Sequence, residues 1–287
     1  MGTTADKLNK LLSTKAAIKQ AIIDKGVDVG EDTVFADYPN KIRSIESGGG
    51  ATDDFYNMRT SNGTDLRNLF YGYLGSTLNI NNLDTSQAYT MSSMFNSCRN
   101  LTSLDLSNFN TSQVTDISGM FAYCNQLTSL DVSNFNTSQV TDMGSIFNGC
   151  YQLTSLDLSN FNTNQVTNMN YMFSSCQSLT ELDLSNFNTS QITSTNNMFA
   201  ECYSLQTLNL SNFDLSGLMD SWNAEMMFSG CYNLHTLRLD NCNAYTINMI
   251  INSMDFPTGE IGTTRKIYVN RFLDGITAPY GWTLVLV

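Results

Sequence analysis

The chain has 287 residues and a formal net charge of −12 at pH 7; 14% of the residues are charged and 41% are hydrophobic. All the excess acid lies after residue 46, and no Lys or Arg occurs between Asn100 and Thr236. Nucleic acids and anionic membrane surfaces are bound through a basic footprint. Nucleic acid is therefore excluded as a partner, and an anionic membrane surface is disfavoured. No segment reaches the roughly 18 apolar residues of a membrane span.

The N-terminal 46 residues have the pattern of a helix followed by a short loop. The apolar residues of Leu8–Lys25 fall on one side, and Gly26 is a stop signal. The run Thr14-Lys-x-x-Ile-Lys-x-Ala-Ile, followed by Phe-x-x-Tyr-Pro-x-Lys-Ile42, resembles a module found at the start of phage fibre and tail-associated proteins. The resemblance implies attachment to a virion, with other virion proteins as partners. By analogy with fibres we expect self-association, as a trimer, through this segment. The anchor and oligomer candidates are Leu8, Leu11, Leu12, Ile18, Ile22, Phe35 and Tyr38.

A 26-residue repeat dominates the rest of the chain. Phe, Cys and Leu recur together in each repeat, and the last clear repeat begins 29 residues after its predecessor, at Phe228. Within a repeat, Leu101-Thr-Ser-Leu104-Asp-Leu106 fits the leucine-rich-repeat spacing L-x-x-L-x-L. The positions in register are Phe95, Phe121, Phe147, Phe173 and Phe199, with Cys98, Cys124, Cys150, Cys176 and Cys202 three residues later.

The period predicts an α+β protein: a leucine-rich-repeat solenoid of 26-residue coils with a parallel β-sheet, preceded by a short helical N-terminal anchor. One coil cannot bury its own apolar residues, so coils stack about 4.8 Å apart and equivalent side chains form ladders. Leu101–Leu106 is expected to be a strand, and Arg265–Val269 and the apolar segment 280–287 are expected to close the stack. We expect an asparagine ladder to satisfy backbone groups at the turn: Asn108, Asn134, Asn160, Asn186 and Asn212.

Three domains follow from this pattern. Residues 1–46 are the helical attachment and oligomerisation module, residues 47–52 are a Gly-rich linker, and residues 53–287 are the solenoid with its capping ends.

The repeat resembles the leucine-rich repeat of BspA-type bacterial surface proteins and is similar to the lipoprotein repeats of mycoplasmas. The resemblance rests on Leu-Thr-Ser-Leu-Asp-Leu-Ser-Asn-Phe-Asn-Thr-Ser-Gln-Val-Thr, on Met120-Phe121 with Cys124, and on the terminal Lys266–Val269 strand with Gly281-Trp282. It covers about residues 66–287. It implies adhesion or ligand binding without catalysis, although the signal peptide and cell-wall anchor of that family are not found here.

The cysteine and aspartate rows carry chemically reactive side chains, but a structural role is favoured for both. Cysteines at fixed spacing lack the Cys-x-x-Cys clusters of metal sites and favour a buried, reduced ladder. A carboxylate row beside the core leucines is a weak candidate for a Ca²⁺ site, because stacked carboxylates repel one another; a solvated row with Ser and Thr donors is the favoured interpretation. The row is Asp105, Asp131, Asp157 and Asp183.

The variable positions around each cysteine are the best place for ligand binding. Tyrosine is frequent there and supplies aromatic contact area for carbohydrate or protein, although ordinary packing is the alternative. The candidates are Tyr123, Tyr151, Tyr203 and Tyr232.

The sequence therefore predicts a non-enzymatic phage virion protein, a head or tail fibre or decoration, that binds a bacterial surface glycan or protein. The alternative is a bacterial cell-surface adhesin of the BspA-type family. The one histidine, His235, has no nucleophile motif beside it, and no cofactor or catalytic residue is expected.

Overall fold

The structure is a computed structural model, and it describes residues 65–81, 83–218, 224–253, 264–270 and 277–287. The predicted attachment module, linker and anchor residues from Leu8 to Tyr38 lie outside these ranges. In the described part of the chain, no helix has both the length and the apolar character needed to cross a membrane.

Among the described residues, regular secondary structure lies in the C-terminal half of the chain. Five parallel strands pair in chain order, with one helix between the third and fourth. The register aligns the inward-facing apolar residues, so that Leu182, Leu208, Leu237, Ile267 and Leu284 form one row across the sheet. The elements are β1 (Glu181–Asp183), β2 (Thr207–Asn209), β3 (Thr236–Arg238), α1 (Ala244–Ser253), β4 (Arg265–Val269) and β5 (Trp282–Leu286).

A second parallel ladder runs along another side of the repeats. It consists of single bridges between equivalent residues, 25 or 26 positions apart, rather than of continuous strands. The backbone after each bridge continues this pairing; for example, the N–H of Phe121 donates to the carbonyl of Ile146 at 3.0 Å. The bridged residues are Asp65, Thr90, Asp116, Asp142, Asn168 and Ser194.

The core is a continuous column of equivalent side chains. The ring centroid of Phe147 lies 6.0 Å from that of Phe121 and 5.7 Å from that of Phe173, with nearly parallel planes. The same stacking continues to Phe199 and Phe228. Because these rings are fully buried, each repeat depends on its neighbours for its apolar contacts.

Two polar ladders join the repeats where the chain turns. The side-chain amide of Asn134 donates to the carbonyls of Leu106 and Phe109 at 2.9 and 3.0 Å, which confirms the predicted asparagine ladder. A second ladder, of buried threonines, was not expected: the hydroxyl of Thr111 donates to the Asn136 carbonyl at 3.0 Å and accepts its N–H at 2.7 Å. These ladders satisfy backbone groups that have no strand partner.

The architecture is thus a parallel sheet with one helix in the described residues, consistent with a repeat solenoid of the leucine-rich-repeat type. The strands predicted at Arg265–Val269 and within residues 280–287 are confirmed as β4 and β5. The strand predicted within Leu101–Leu106 does not form in that repeat, because the segment makes only a single backbone bond to the preceding repeat, from Thr102 to Ser76. The equivalent positions of later repeats do form strands, β1, β2 and β3. The helix α1 was not predicted, since the repeat pattern fades after Asn243.

Candidate functional site

The backbone has an unusual conformation around each ladder phenylalanine, that is, each phenylalanine of the core column from Phe95 to Phe228. This conformation places two of the exposed tyrosines. The residues two before and two after that phenylalanine adopt positive φ; Tyr123 has φ of 59° and Tyr171 has φ of 56°. Their N–H groups donate to the next repeat, to the carbonyls of Asn148 and Asn196 at 2.6 and 2.9 Å. Left-handed backbone is disfavoured for residues other than Gly, so the stack of repeats imposes it. Both tyrosines are exposed there, at 38% and 43%.

The structure divides the four candidate tyrosines between two columns. Tyr151, Tyr203 and Tyr232 each follow the ladder cysteine directly, whereas Tyr123 precedes its cysteine. The Tyr123 ring lies over Gly149, where an added Cβ would meet the ring at 2.6 Å. Three of the four therefore share a column, and Tyr123 packs beside it.

Within that column, Tyr203 and Tyr232 form a ring stack. Their centroids are 5.9 Å apart and their planes differ by 5°, while the residues are 37% and 61% exposed. Gln177 occupies the equivalent position between Tyr151 and this pair. Each ring covers one face of the other, so the pair presents its ring edges, hydroxyls and two outer faces. It therefore offers less aromatic surface to a ligand than two separate rings would.

The electrostatic surroundings of the stack favour a neutral phenol. Partial burial, followed by the nearby Glu201 carboxylate, raises the pKa of Tyr203. Glu201 itself accepts a hydrogen bond from the Ser175 hydroxyl at 2.9 Å. The stack therefore combines hydroxyl donors with a fixed carboxylate acceptor, a combination that suits polar ligands with an apolar face.

The carboxylates of the aspartate row accept hydrogen bonds from the backbone. Each carboxylate accepts the N–H of the serine two residues later, for instance Ser133 to Asp131 at 2.9 Å. Hydrogen bonds from Ser133 lower the pKa of Asp131. Throughout the described ranges, no three His, Cys, Asp or Glu side chains are grouped to hold a metal ion. The row is therefore solvated and turn-forming here, and these four carboxylates do not converge on one cation.

The cysteines are buried and free, as expected. The thiol of Cys150 donates to the Phe121 carbonyl at 3.2 Å, and the other members of the row make the same bond to the preceding repeat. Burial raises the pKa of Cys150 to about 12. Thiolate is the reactive form of cysteine, so these thiols have a structural role.

The structure also places the one histidine of the sequence. His235 lies half-buried just before β3, and its Nδ1 is 3.0 Å from the Thr236 hydroxyl. Four further tyrosines of the described residues are exposed and were not among the candidates: Tyr89, Tyr171, Tyr245 and Tyr280, at 44%, 43%, 44% and 84%. Tyr171 could have been found from the alignment of the repeats, because it replaces the Ser or Gly that earlier repeats carry at that position.

Comparisons with known proteins point to one family. A family model described as "Mycoplasma protein of unknown function" (DUF285) matches residues 45–130 and 124–241, together more than half of the chain. No curated protein matches at a significant level of similarity. A solved structure, the functional domain of InlJ from Listeria monocytogenes, which includes a cysteine ladder, is 18% identical over 59% of this chain, with a TM-score of 0.11. The chain spans 58% of that domain's length.

Proposed function

The chain belongs to the mycoplasma family DUF285, and we propose that it is a surface-associated repeat protein, a bacterial adhesin of the BspA type that binds without catalysis. The family match supports this function over the virion role. It covers the repeats, whereas the virion role depends on the resemblance of residues 1–46, outside the described part of the chain. The virion role therefore stays a sequence prediction.

The observation that carries the binding role is the exposed Tyr203–Tyr232 stack. The phenylalanines of the described repeats fill the buried core column. Tyr89, Tyr123 and Tyr171 are also exposed, but Tyr203 and Tyr232 are exposed and stack on each other. An adhesive surface uses a few aromatic anchors with polar neighbours, and the stack with Glu201 provides both. We propose a surface protein or glycan of the target cell as the ligand.

The finer architecture forms part of the proposal. Each 26-residue repeat forms one coil of the solenoid, supported by the bridges between equivalent residues. Residues 1–46 form a helical attachment module through which the chain self-associates as a trimer. Light scattering of the full chain tests this module: a trimer is expected, and a monomer would contradict it.

The surface location is tested on the organism that makes the protein. An antibody against residues 65–287 is expected to label intact cells, and external protease is expected to remove the label. Labelling that requires cell lysis would contradict the adhesin, and label that co-sediments with phage particles would favour the virion role.

The binding role is tested with beads coated with purified protein and laid on an epithelial cell monolayer. The wild type is expected to adhere, and the double variant Tyr203→Ala/Tyr232→Ala is expected to lose most of this adhesion. Tyr89→Ala is the matched control, because Tyr89 is similarly exposed but lies in another column. Equal loss in the control would contradict a specific role for the stack.

A further inference from the structure

A shallow polar groove crosses four successive repeats, away from the tyrosine stack. It encloses about 370 Å³ and runs from Ser93 to Asn170, along the side of the repeats that carries the single-residue bridges. Three bridge-to-bridge steps separate its ends, so it extends about 15 Å along the stack. Its lining residues are Ser93, Asn96, Ser118, Gly119, Asp142, Gly144, Ser145, Asn168 and Asn170.

The groove exists because one column of side chains is small in the early repeats. The position two before the ladder phenylalanine is Ser93, Gly119 and Ser145, and then becomes Tyr171. Tyr171 does not line the groove. The floor is closely packed, since a Cβ added at Gly144 would meet the Asn168 amide nitrogen at 2.8 Å. The shape is therefore set by the backbone and by well-packed neighbours.

Several hydrogen-bonding groups in the groove are available to a ligand. The carboxylate of Asp142 accepts the Gly144 N–H at 2.8 Å and the Asn168 amide at 3.0 and 3.2 Å. The side-chain oxygen of Asn170 accepts two bonds, and its amide nitrogen donates to none of the described residues. The Ser145 hydroxyl likewise has no partner among the described residues. Available donors and hydroxyls thus line a concave surface.

We propose that this groove binds a neutral oligosaccharide. Sugar hydroxyls both donate and accept, which matches a lining of hydroxyls, amides and one carboxylate. The lining has no Lys or Arg to attract an anion and only one carboxylate, already engaged by three contacts, to attract a cation. It also lacks the large apolar or aromatic pocket that anchors a peptide.

Oligosaccharide binding in the groove specifies a ligand class for the binding role proposed above, and it rests on that role. Its site, however, lies apart from the tyrosine stack, and its test uses purified full-length protein rather than cells. The surface location and the groove can therefore fail separately.

The experiment introduces a large side chain into the groove at a position whose backbone conformation a tyrosine already adopts in the next repeat. Ser145 has φ of 58° and Tyr171, at the equivalent position of the next repeat, has φ of 56°, so Ser145→Tyr introduces a ring at a position that accepts one. The control Asn197→Tyr introduces the same ring in the same column outside the groove, at a residue with φ of 54°. Asn96→Asp adds a charge to the groove and removes an amide donor, with little change in size.

The probe is a panel of neutral cello-, malto-, manno-, galacto- and chito-oligosaccharides, with binding measured by calorimetry and folding checked by circular dichroism. At least one member is expected to bind the wild type and Asn197→Tyr equally. Ser145→Tyr is expected to weaken that binding about tenfold or more, and Asn96→Asp several-fold. The proposal would be overturned if no member of the panel binds, or if folded Ser145→Tyr and Asn96→Asp bind as the wild type does. Equal loss of binding in Asn197→Tyr would also overturn it. Loss only in the Tyr203→Ala/Tyr232→Ala variant would assign oligosaccharide binding to the stack and also overturn it.

Discussion

The phenylalanine column makes a quantitative prediction about two residues of one repeat, Phe147 and Phe161. Both are buried, at 0% and 3% exposure. Phe147 stacks on a ring at each side, at 6.0 and 5.7 Å, whereas Phe161 has no ring partner in the described residues. A stacked pair contributes about 0.5–1.5 kcal/mol beyond the area it buries. The change Phe147→Leu should therefore lower the free energy of unfolding by about 1–3 kcal/mol more than Phe161→Leu.

Equilibrium urea unfolding, followed by circular dichroism, measures this difference. Phe161→Leu is the matched control, because it removes the same atoms from the same repeat without breaking a stack. The comparison requires equal denaturant slopes, since a changed slope signals loss of cooperative unfolding. Equal destabilisation of the two variants within about 0.5 kcal/mol, or a larger loss for Phe161→Leu, would refute the stacking argument.

Three further predictions concern the polar and thiol ladders. Asn160→Ala should lower the free energy of unfolding by about 1–3 kcal/mol in urea, because three carbonyls lose their donor; an effect below about 0.5 kcal/mol would contradict the ladder's role. A thiol reagent should label none of the seven cysteines in the folded protein and all seven in urea; prompt labelling without urea would contradict their burial. Burial also raises the pKa of Cys150 and of Cys242 to about 12, from an ordinary 9.0. Unfolded thiols ionise first, so stability should be fully retained below about pH 9 and fall towards pH 12. Cys150→Ala should reduce that slope by about 1.4 kcal/mol per pH unit, and an unchanged slope in urea titrations would contradict the shift.

The repeat length let the sequence predict the ladders but not the backbone between them. Phe, Cys and Asn recur at one spacing, and each type has one physical reason to be there: ring stacking, burial, or amide donation to orphaned carbonyls. The left-handed positions were missed because Ser93, Tyr123 and similar residues carry no conformational signal of their own. Neighbouring repeats impose those φ values through backbone bonds that join residues 25 positions apart.

The candidate surface was predicted in part for a similar reason. Tyr123 comes one residue before a ladder cysteine, and Tyr151 comes one residue after the next one. Counting tyrosines near cysteines does not distinguish these two positions, yet they lie in different columns. The ring stack of Tyr203 and Tyr232 follows from their shared position and could have been inferred from the alignment of the repeats. The polar groove depends on the absence of large side chains across four repeats, which no single residue signals.

The account depends on equivalent residues lying one above another. Sulfur anomalous diffraction from a crystal of the full chain tests this directly, because the cysteines mark every repeat from Cys98 to Cys231. Apart from the peaks of the 14 methionines, the stacked repeats predict six cysteine sulfur peaks in one row, about 5 Å apart. The Cys242 sulfur should lie off the row, because its thiol donates to the Leu210 carbonyl and not to that of a core-column phenylalanine. Six sulfurs scattered without a common row would contradict it.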